Sequence, residues 1–302
     1  MNNFDDIFIA APNETKGASK SDTATFDKTS WAEQKQIERE QAYTLIDDTA
    51  LKLSQDGSIF KGYLDVQSKF DRYSVANNLL ILAQNPEATK LADFKTWKEN
   101  DVYVKKGQSG ITILEPGEEY TREDGSIGVS YNTKKVFDIT QTSSKQITPP
   151  MVKKDDRLLL KALINNAPVA INISDRLPDN INAMYKPDTK EILIRKGLDG
   201  ADIFRALAGE LAHAEIDKGN YNRSECVFPA YCVSYILCKR NGIDVSSYSF
   251  NRLPAEYENM ESKDIRAELS KIRDTANDIS SNMTKVLEPS KSQSKNKDEE
   301  SR

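Results

Sequence analysis

The chain has 302 residues, of which 38% are hydrophobic and 29% are charged, and its formal net charge is −5. This length accommodates about two domains of ordinary size. No stretch approaches the ~18 consecutive apolar residues of a membrane span, and the polar first residues lack the basic and apolar parts of a secretory signal. The three cysteines, Cys226, Cys232 and Cys238, lack the paired spacing of a disulfide framework. We therefore expect a cytoplasmic protein with no membrane partner.

A single histidine, His213, is present. Mechanisms that need two imidazoles from one chain are therefore excluded. The negative net charge also excludes a global positive field of the kind that drives non-specific binding to duplex DNA. Any contact with nucleic acid must be local.

Composition divides the chain into four parts. Residues 1–29 and 288–302 are too polar to bury a core, so we predict a disordered leader and a disordered tail. The polar stretch 142–150 ends in two prolines, which is typical of a linker. These features predict one domain over residues 30–148 and a second over residues 149–287.

In the first domain, Ser30 and Glu33 have the spacing of a capping box ahead of an amphipathic helix. A second helical stretch follows, and Ser74 is placed to cap a third helix over residues 75–84. From residue 102 apolar and polar residues alternate, as in a β-strand, which predicts a hairpin over residues 102–113 with a basic tip. Asp124 and Gly125 supply a further turn. We predict an α+β domain of helices packed on a small antiparallel sheet.

The second domain alternates helical and strand patterns. A helix is expected over residues 156–165, then strands over 169–173 and 191–195. Asp202 is placed to cap the next helix, and a further helix over residues 224–240 ends at Gly242, with Pro229 expected to kink it or delay its start. A last long helix has an apolar seam over residues 265–283, which packs within the chain or on a partner.

One ordered set of landmarks lies in the first domain. They are the run 73–77 (Tyr-Ser-Val-Ala-Asn), Trp97, Lys106, Gly107, Gly110, Pro116 and the run 136–142. As a set, they resemble the N-terminal domain of ArdC antirestriction and LtrC-like proteins of conjugative elements. The resemblance implies that this domain binds single-stranded DNA.

Residues 151–285 resemble the second half of the same family, a minimal zinc metallopeptidase of the ImmA/IrrE kind. The matching landmarks are the run 183–187, the strand 192–195, the run Gly209-Glu210-Leu211-Ala212-His213, Glu225 and the run 242–244. The resemblance implies a minimal zincin-like fold. It also implies that Glu210 occupies the position of the general base, while His213 and Glu225 occupy metal-ligand positions.

The departure from the family pattern is Gly209, which stands where a zincin has its first histidine. Zincins place two histidines four residues apart so that both imidazoles face one metal ion, with the glutamate beside them. Two ligands fall short of the three that a catalytic zinc site normally uses. We therefore interpret Glu210, His213 and Glu225 as a vestigial site and expect no peptidase activity and no cofactor, with zinc as the cofactor only if another residue rescues the site.

Asp217 and Cys226 are the residues that could rescue it. Other interpretations of these side chains are simpler: His213 and Glu210 as a hydrogen-bonded pair, and the cysteines as packing residues. Six-residue steps turn the cysteines by about 240° each and so spread them around a helix. Serine hydrolysis is disfavoured because no Gly-x-Ser-x-Gly motif is present.

For the first domain we consider a groove in which aromatic rings stack on bases while lysines contact phosphates. The candidate residues are Tyr73, Asn77, Trp97, Lys98, Tyr103, Lys105, Lys106, Lys134 and Lys135, with Lys95 nearby. Two simpler alternatives remain open, namely that the rings belong to the core and that the lysines form an ordinary solvated turn.

The sequence therefore predicts a single-stranded DNA-binding accessory protein of a mobile element, with a degenerate metallopeptidase-like domain. One alternative is an active zinc metallopeptidase with an unconventional third ligand. Another is a protein-interaction scaffold in which the degenerate domain and the seam at 265–283 bind a protein partner.

Overall fold

The computed structural model describes residues 28–144 and 154–288. The predicted leader up to residue 27, the linker from residue 145 and the tail from residue 289 lie outside the described residues. In the described part, the helices are α1 (Lys28–Gln55), α2 (Gly57–Lys69), α3 (Val75–Gln84), α4 (Phe94–Glu99), α5 (Asp156–Leu163), α6 (Gly200–Ile216), α7 (Arg223–Asn241) and α8 (Ser262–Leu287). The strands are β1 (Leu91–Ala92), β2 (Ile111–Thr121), β3 (Ile127–Asp138), β4 (Ala170–Ser174), β5 (Ala183–Lys186) and β6 (Glu191–Arg195). The predicted α+β class is confirmed. None of the described helices combines the length and the apolar composition needed to cross a membrane.

Compactness divides the chain into two units. The first comprises the chain up to Tyr43 together with Lys90–Ile147, and the second comprises Thr44–Thr89 together with Thr148–Arg302. The sequence assigns α2 and α3 to the first domain, whereas they pack in the second unit. Packing units and domains are different divisions of a chain, so the domain boundaries at 30–148 and 149–287 stay a prediction.

The first unit contains an antiparallel sheet in the order β1-β3-β2. The long β2–β3 hairpin turns at Gly125, whose φ of 82° is easily reached only by a residue without a Cβ, and this turn is confirmed. Helix α4 begins at the N-cap Asp93, whose side chain accepts from the backbone N–H of Thr96. The buried side chains of this unit include Trp97, Ile111, Ile113, Leu114, Val136 and Ile139.

The predicted hairpin over residues 102–113 is wrong. Val104 forms an isolated bridge with Thr142, and the backbone N–H of Lys105 donates to the carbonyl of Gln141 at 2.9 Å. Residues 111–113 pair instead with residues 134–136 of β3. Alternation alone did not distinguish a local partner from a distant one, and the longer hairpin provides more backbone pairing.

The second unit contains a sheet in the order β4-β6-β5, in which β6 is parallel to β4 and antiparallel to β5. Helix α6 packs on β5 and β6, and it also packs against α7. Fully buried side chains of the unit include Phe60, Tyr63, Leu64, Phe204, Tyr235 and Ile192. This arrangement places one face of α6 against the sheet and leaves another face beside α7.

Several helix boundaries follow the sequence closely. The Ser74 side chain accepts from the backbone N–H of Asn77 and caps α3 as predicted, while Gly242 ends α7 with a φ of 71°. Two start positions are corrected. Helix α1 begins at Lys28, ahead of the predicted Ser30, and α6 is capped by Asp199 because its carboxylate accepts from the backbone N–H of Asp202.

Pro229 lies inside α7, and the helix begins at Arg223, so the proline does not delay its start. The apolar seam of α8 is buried within the second unit, as the within-chain alternative predicted. Its buried members are Ile265, Leu269, Ile272, Ala276, Ile279 and Met283. The seam is therefore not available as a docking surface, which corrects that part of the scaffold alternative.

Candidate functional site

A cleft of about 520 Å³ lies between α6 and α7 in the second unit. From α6 it is lined by Gly209, Glu210 and His213, and from α7 by Arg223 and Ser234 among others. The structure thus brings together three of the residues singled out in the sequence. It adds a cation that the sequence analysis did not consider.

Both carboxylate oxygens of Glu210 are occupied by donors. Oε1 accepts from Nη2 of Arg223 at 2.7 Å, and Oε2 accepts from Nη1 of Arg223 at 3.0 Å and from the backbone N–H of Tyr185 at 2.6 Å. The residue is only 9% exposed. Three donors, two of them from a charged guanidinium group, therefore already contact this buried carboxylate, which leaves less room for a water molecule to approach either oxygen.

His213 is buried and is joined through Nδ1 to the Tyr221 hydroxyl at 2.9 Å. The expected hydrogen bond between His213 and Glu210 is wrong, because each has a different partner. Burial lowers the pKa of His213 to about 4, with Glu210 opposing and Arg223 adding to the shift. Burial also raises the pKa of Tyr221 to about 12. At neutral pH the two groups therefore form a pair of uncharged rings.

Gly209 is not required by the backbone or by close packing. A Cβ built at this position would meet only Ser234 Cβ, at 3.8 Å, which is an ordinary van der Waals distance. A mid-helix glycine costs ~1 kcal/mol relative to alanine. Since a Cβ would fit here, close packing does not require the glycine.

The remaining candidate ligands do not complete a metal site. Glu225 is exposed and accepts from the Asn222 side chain at 2.7 Å. Asp217 instead accepts from Lys190 at 2.6 Å and from the Tyr185 hydroxyl at 2.7 Å, and these bonds lower its pKa to about 2. Cys226 is buried in the first turn of α7. Among the described residues no three His, Cys, Asp or Glu side chains are grouped to hold a metal ion. The residues present do not fit a catalytic zinc.

Three residues of this cluster were missed in the sequence: Tyr185, Tyr221 and Arg223. Tyr221 packs edge-on against both Tyr185 and His213, with centroid distances of 5.5 and 5.9 Å. No local pattern could have identified them, because the contacts join β5, the loop before α7 and α6. The only available signal was an arginine at the start of a helix, close in sequence to an acidic candidate.

A second candidate surface lies on the first unit, at the loop that follows α4. The Tyr103 backbone exchanges hydrogen bonds with Ser143: its N–H donates to Ser143 Oγ at 3.0 Å, and its carbonyl accepts from the Ser143 N–H at 2.7 Å. Tyr103 is 53% exposed, and Lys105 and Lys106 are exposed beside it. The loop is therefore held at its base while the ring of Tyr103 and the side chain of Lys106 are exposed, and the ammonium group of the exposed Lys105 donates to the carbonyl of Thr140 at 3.2 Å.

Two of the other predicted lysines adjoin this loop. Lys98 is exposed at the end of α4, and its carbonyl accepts from the Asp101 N–H at the start of the loop. The Lys135 ammonium group donates to Thr112 Oγ1 at 2.9 Å and to the carbonyl of Gly110 at 3.4 Å. We refer to Lys98, Tyr103, Lys105, Lys106 and Lys135 as the loop surface.

Lys134 does not belong to the loop surface. It is the neighbour of Lys135 in β3, so its side chain points to the opposite face of the sheet. Its ammonium group lies 2.8 Å from Asp93 and 3.1 Å from Glu115. The bond with Lys134 is the largest factor that lowers the pKa of Asp93 to about 2. The charge of Lys134 is already compensated within the unit.

The structure separates the remaining predicted residues from the loop surface. Trp97 is 4% exposed and its Nε1 donates to the carbonyl of Phe137 at 2.9 Å, so it is a core residue and cannot stack on a base. Tyr73 and Asn77 lie in the second unit, where Asn77 is buried and Tyr73 packs edge-on against Phe70. The burial of Trp97 and Asn77 favours a structural role for both residues, and their part in binding stays a prediction.

The family model of the N-terminal domain of anti-restriction factor ArdC matches residues 52–151. This match covers about a third of the chain, and it confirms the resemblance to ArdC antirestriction proteins. The likeness of residues 151–285 to ImmA/IrrE peptidases stays a prediction. No curated protein matches the sequence significantly.

The fold is also similar to crystal structures of the antirestriction protein ArdC from the R388 plasmid. The Mn(II)-bound structure has 17% sequence identity and a TM-score of 0.53, over 79% of this chain and 98% of that chain. The metal-free structure has 17% identity and a TM-score of 0.48, over 70% of this chain and 85% of that chain. At this level of identity, the Mn(II)-bound structure establishes a shared fold.

Proposed function

We propose that this protein is a single-stranded DNA-binding accessory factor of a mobile element, of the antirestriction type, and that its peptidase-like domain works without a catalytic metal. The match of residues 52–151 to the ArdC N-terminal domain carries the proposal. The plasmid origin of the R388 protein agrees with a mobile-element context.

The loop surface supplies the chemistry that such binding requires. Single-stranded nucleic acids are bound by aromatic rings that stack on bases and by cations that track the phosphates. Tyr103 offers an exposed ring on a loop whose base is fixed, and the lysines around it offer the cations. Because the net charge of the chain is −5, binding would depend on this local cluster.

Replacement of Lys105 and Lys106 by alanine should weaken binding to a single-stranded oligonucleotide and reduce its salt dependence. For a single strand, each phosphate that a protein neutralises adds ~0.7 to the steepness with which log K falls against log salt. Loss of two lysine contacts should therefore reduce this slope by roughly 1 to 2. Fluorescence anisotropy of the full chain over a salt series measures it. Lys196→Ala/Lys218→Ala is the matched control, because it removes the same charge from exposed positions of the second unit. Equal slopes for the two double variants would contradict the proposal, as would equal affinity of the native protein for duplex DNA.

The peptidase-like half is proposed to be inactive because Glu210 has no free oxygen and the zinc ligands are incomplete. The R388 protein has been crystallised with Mn(II), whereas the described residues of this chain contain no group of three His, Cys, Asp or Glu side chains that could hold a metal ion.

Purified protein should therefore carry well under one equivalent of zinc or manganese and show no chelator-sensitive cleavage of unfolded protein substrates. Elemental analysis and a protease assay with and without chelator measure both expectations. Stoichiometric metal that is lost on His213→Ala would show that the site is functional and would favour an active metallopeptidase instead.

A further inference from the structure

The Glu210 carboxylate needs a cation nearby. It is 9% exposed in a helix face turned toward α7, and an ionised carboxylate at such a position is costly unless it is paired and hydrogen-bonded. In a zincin the metal ion and its bound water lie beside this glutamate. Here the positive charge that contacts Glu210 is the guanidinium group of Arg223.

Arginine suits this position for geometric reasons. Its planar group donates two parallel hydrogen bonds, to Oε1 and Oε2 of Glu210, which is the bidentate arrangement that a lysine cannot reproduce. Arg223 is the first residue of α7, and Glu210 lies in α6. The ion pair therefore ties the two helices together across the cleft, much as a shared metal ion joins the elements that supply its ligands.

His213, which occupies a metal-ligand position by resemblance to zincins, is also bonded to the segment that carries Arg223. Two residues before Arg223, the Tyr221 hydroxyl bonds to Nδ1 of His213. Tyr221 and Arg223 thus hold both functional side chains of α6, while the backbone of Tyr185 in β5 holds Glu210 from the other side. A metal ion at Glu210 would have to displace a cation whose nitrogens are 2.7 and 3.0 Å from the carboxylate oxygens.

We propose that the guanidinium group of Arg223 has replaced the metal ion as the cation that neutralises Glu210 and joins α7 to α6. This inference rests on the proposed peptidase-like origin of the domain. It predicts a fold that is independent of metal and dependent on Arg223.

Thermal unfolding of the full-length protein tests whether the fold depends on Arg223 and is independent of metal. Addition of zinc or of a chelator should leave the Tm of the native protein unchanged. Arg223→Gln should lower the Tm by about 4 to 8 °C because Glu210 is left as an unpaired buried charge. Arg223→Lys should recover only part of this loss, since an ammonium group lacks the planar pair of parallel donors that matches a carboxylate. Arg273→Gln is the control, because it breaks an ion pair with the adjacent and exposed Asp274 and should shift the Tm by less than about 2 °C.

The double variant Glu210→Gln/Arg223→Gln keeps the inference testable if Arg223→Gln alone fails to fold. It removes the unpaired charge as well, so its Tm should lie above that of Arg223→Gln. An Arg223→Gln protein as stable as the native one would overturn the inference. A double variant less stable than Arg223→Gln would overturn it too.

Measurements of zinc affinity test this inference separately from the proposed peptidase-like origin of the domain. Gly209→His introduces an imidazole four residues before His213, at a position where a Cβ meets no close contact. Zinc should bind to Gly209→His/Arg223→Gln at least about 10-fold more tightly than to Gly209→His, because the competing charge is gone. Equal zinc affinity in the two proteins would show that Arg223 does not stand in the place of the metal, and only the inference would be wrong. Absence of zinc binding in both would show that α6 is not related to the zincin helix, and the proposed origin would fall together with the inference.

Discussion

Replacement of His213 by glutamine should flatten the acid side of the stability profile. The pKa of His213 is about 4 in the folded protein and about 6.5 in an unfolded chain, since burial disfavours the charged imidazole. Between these values the unfolded chain binds more protons than the folded protein. Stability is therefore lost as the pH falls below 6.5, and the loss is complete below pH 4.

The expected size of this effect follows from the two pKa values. Between pH 7 and pH 4.5, His213 should contribute ~2.5 kcal/mol to the loss of unfolding free energy. His213→Gln lacks this contribution but keeps a group that can bond to Tyr221. Urea unfolding of both proteins at pH 7, 6, 5 and 4.5 measures the difference.

The comparison isolates one group because the sequence contains a single histidine. Carboxylates also lose their ion pairs in acid, Asp217 among them, but they do so in both proteins. Parallel stability profiles for the native protein and His213→Gln would mean that the imidazole is protonated in the folded state, and the description of His213 as a buried neutral ring would be wrong.

The helices illustrate what the sequence could predict. In α8 the apolar residues recur at steps of three and four, and the same residues are buried in the structure. In α3 the Ser74 cap and the end before Pro86 are set by local chemistry and were predicted correctly. These features depend on neighbours within one or two turns, so the sequence alone contains the information.

The loop surface shows where local information was insufficient. Alternating apolar residues around 102–113 suggested a hairpin, but the partner of residues 111–113 is β3, more than 20 residues away. The choice between the two depends on total strand pairing and on burial, neither of which is visible in a short window. The basic tip was still found, because lysines beside glycines indicate an exposed turn whichever strand follows.

The cleft between α6 and α7 shows a different limit. A helix face could be constructed from the spacing of Gly209, Glu210 and His213, and the structure places all three along the same cleft. The partner of Glu210 could not be found in this way, because Arg223 belongs to the next helix and reaches the carboxylate only after α6 and α7 pack. The sequence thus indicated that a ligand was missing, while the structure showed which cation contacts the glutamate.

Tyr103→Ala should reduce affinity for single-stranded DNA by about 30-fold, which corresponds to ~2 kcal/mol, the middle of the ~1 to 3 kcal/mol range for one base stacked on an aromatic ring. The ring is 53% exposed, and the loop that carries it is fixed by the bonds of the Tyr103 backbone to the hydroxyl and the N–H of Ser143 and by the bridge between Val104 and Thr142. Its loss should therefore leave the loop and the stability of the unit unchanged. Unlike the lysine variants, Tyr103→Ala should shift affinity equally at all salt concentrations, because no phosphate contact is removed.

Tyr103→Phe is the matched control, since it keeps the ring and loses only the hydroxyl, and it should bind within about 2-fold of the native protein. Titration of a fluorescent single-stranded oligonucleotide into each full-length protein at low and moderate salt measures both the loss and its salt dependence. Native affinity in Tyr103→Ala would remove stacking from the mechanism and leave the lysines alone to bind the strand. Equal losses in the alanine and phenylalanine variants would assign the effect to the hydroxyl, since the ring is still present in one of them. The stacking proposal therefore requires that the two variants differ, and that their ratio of affinities does not change with salt.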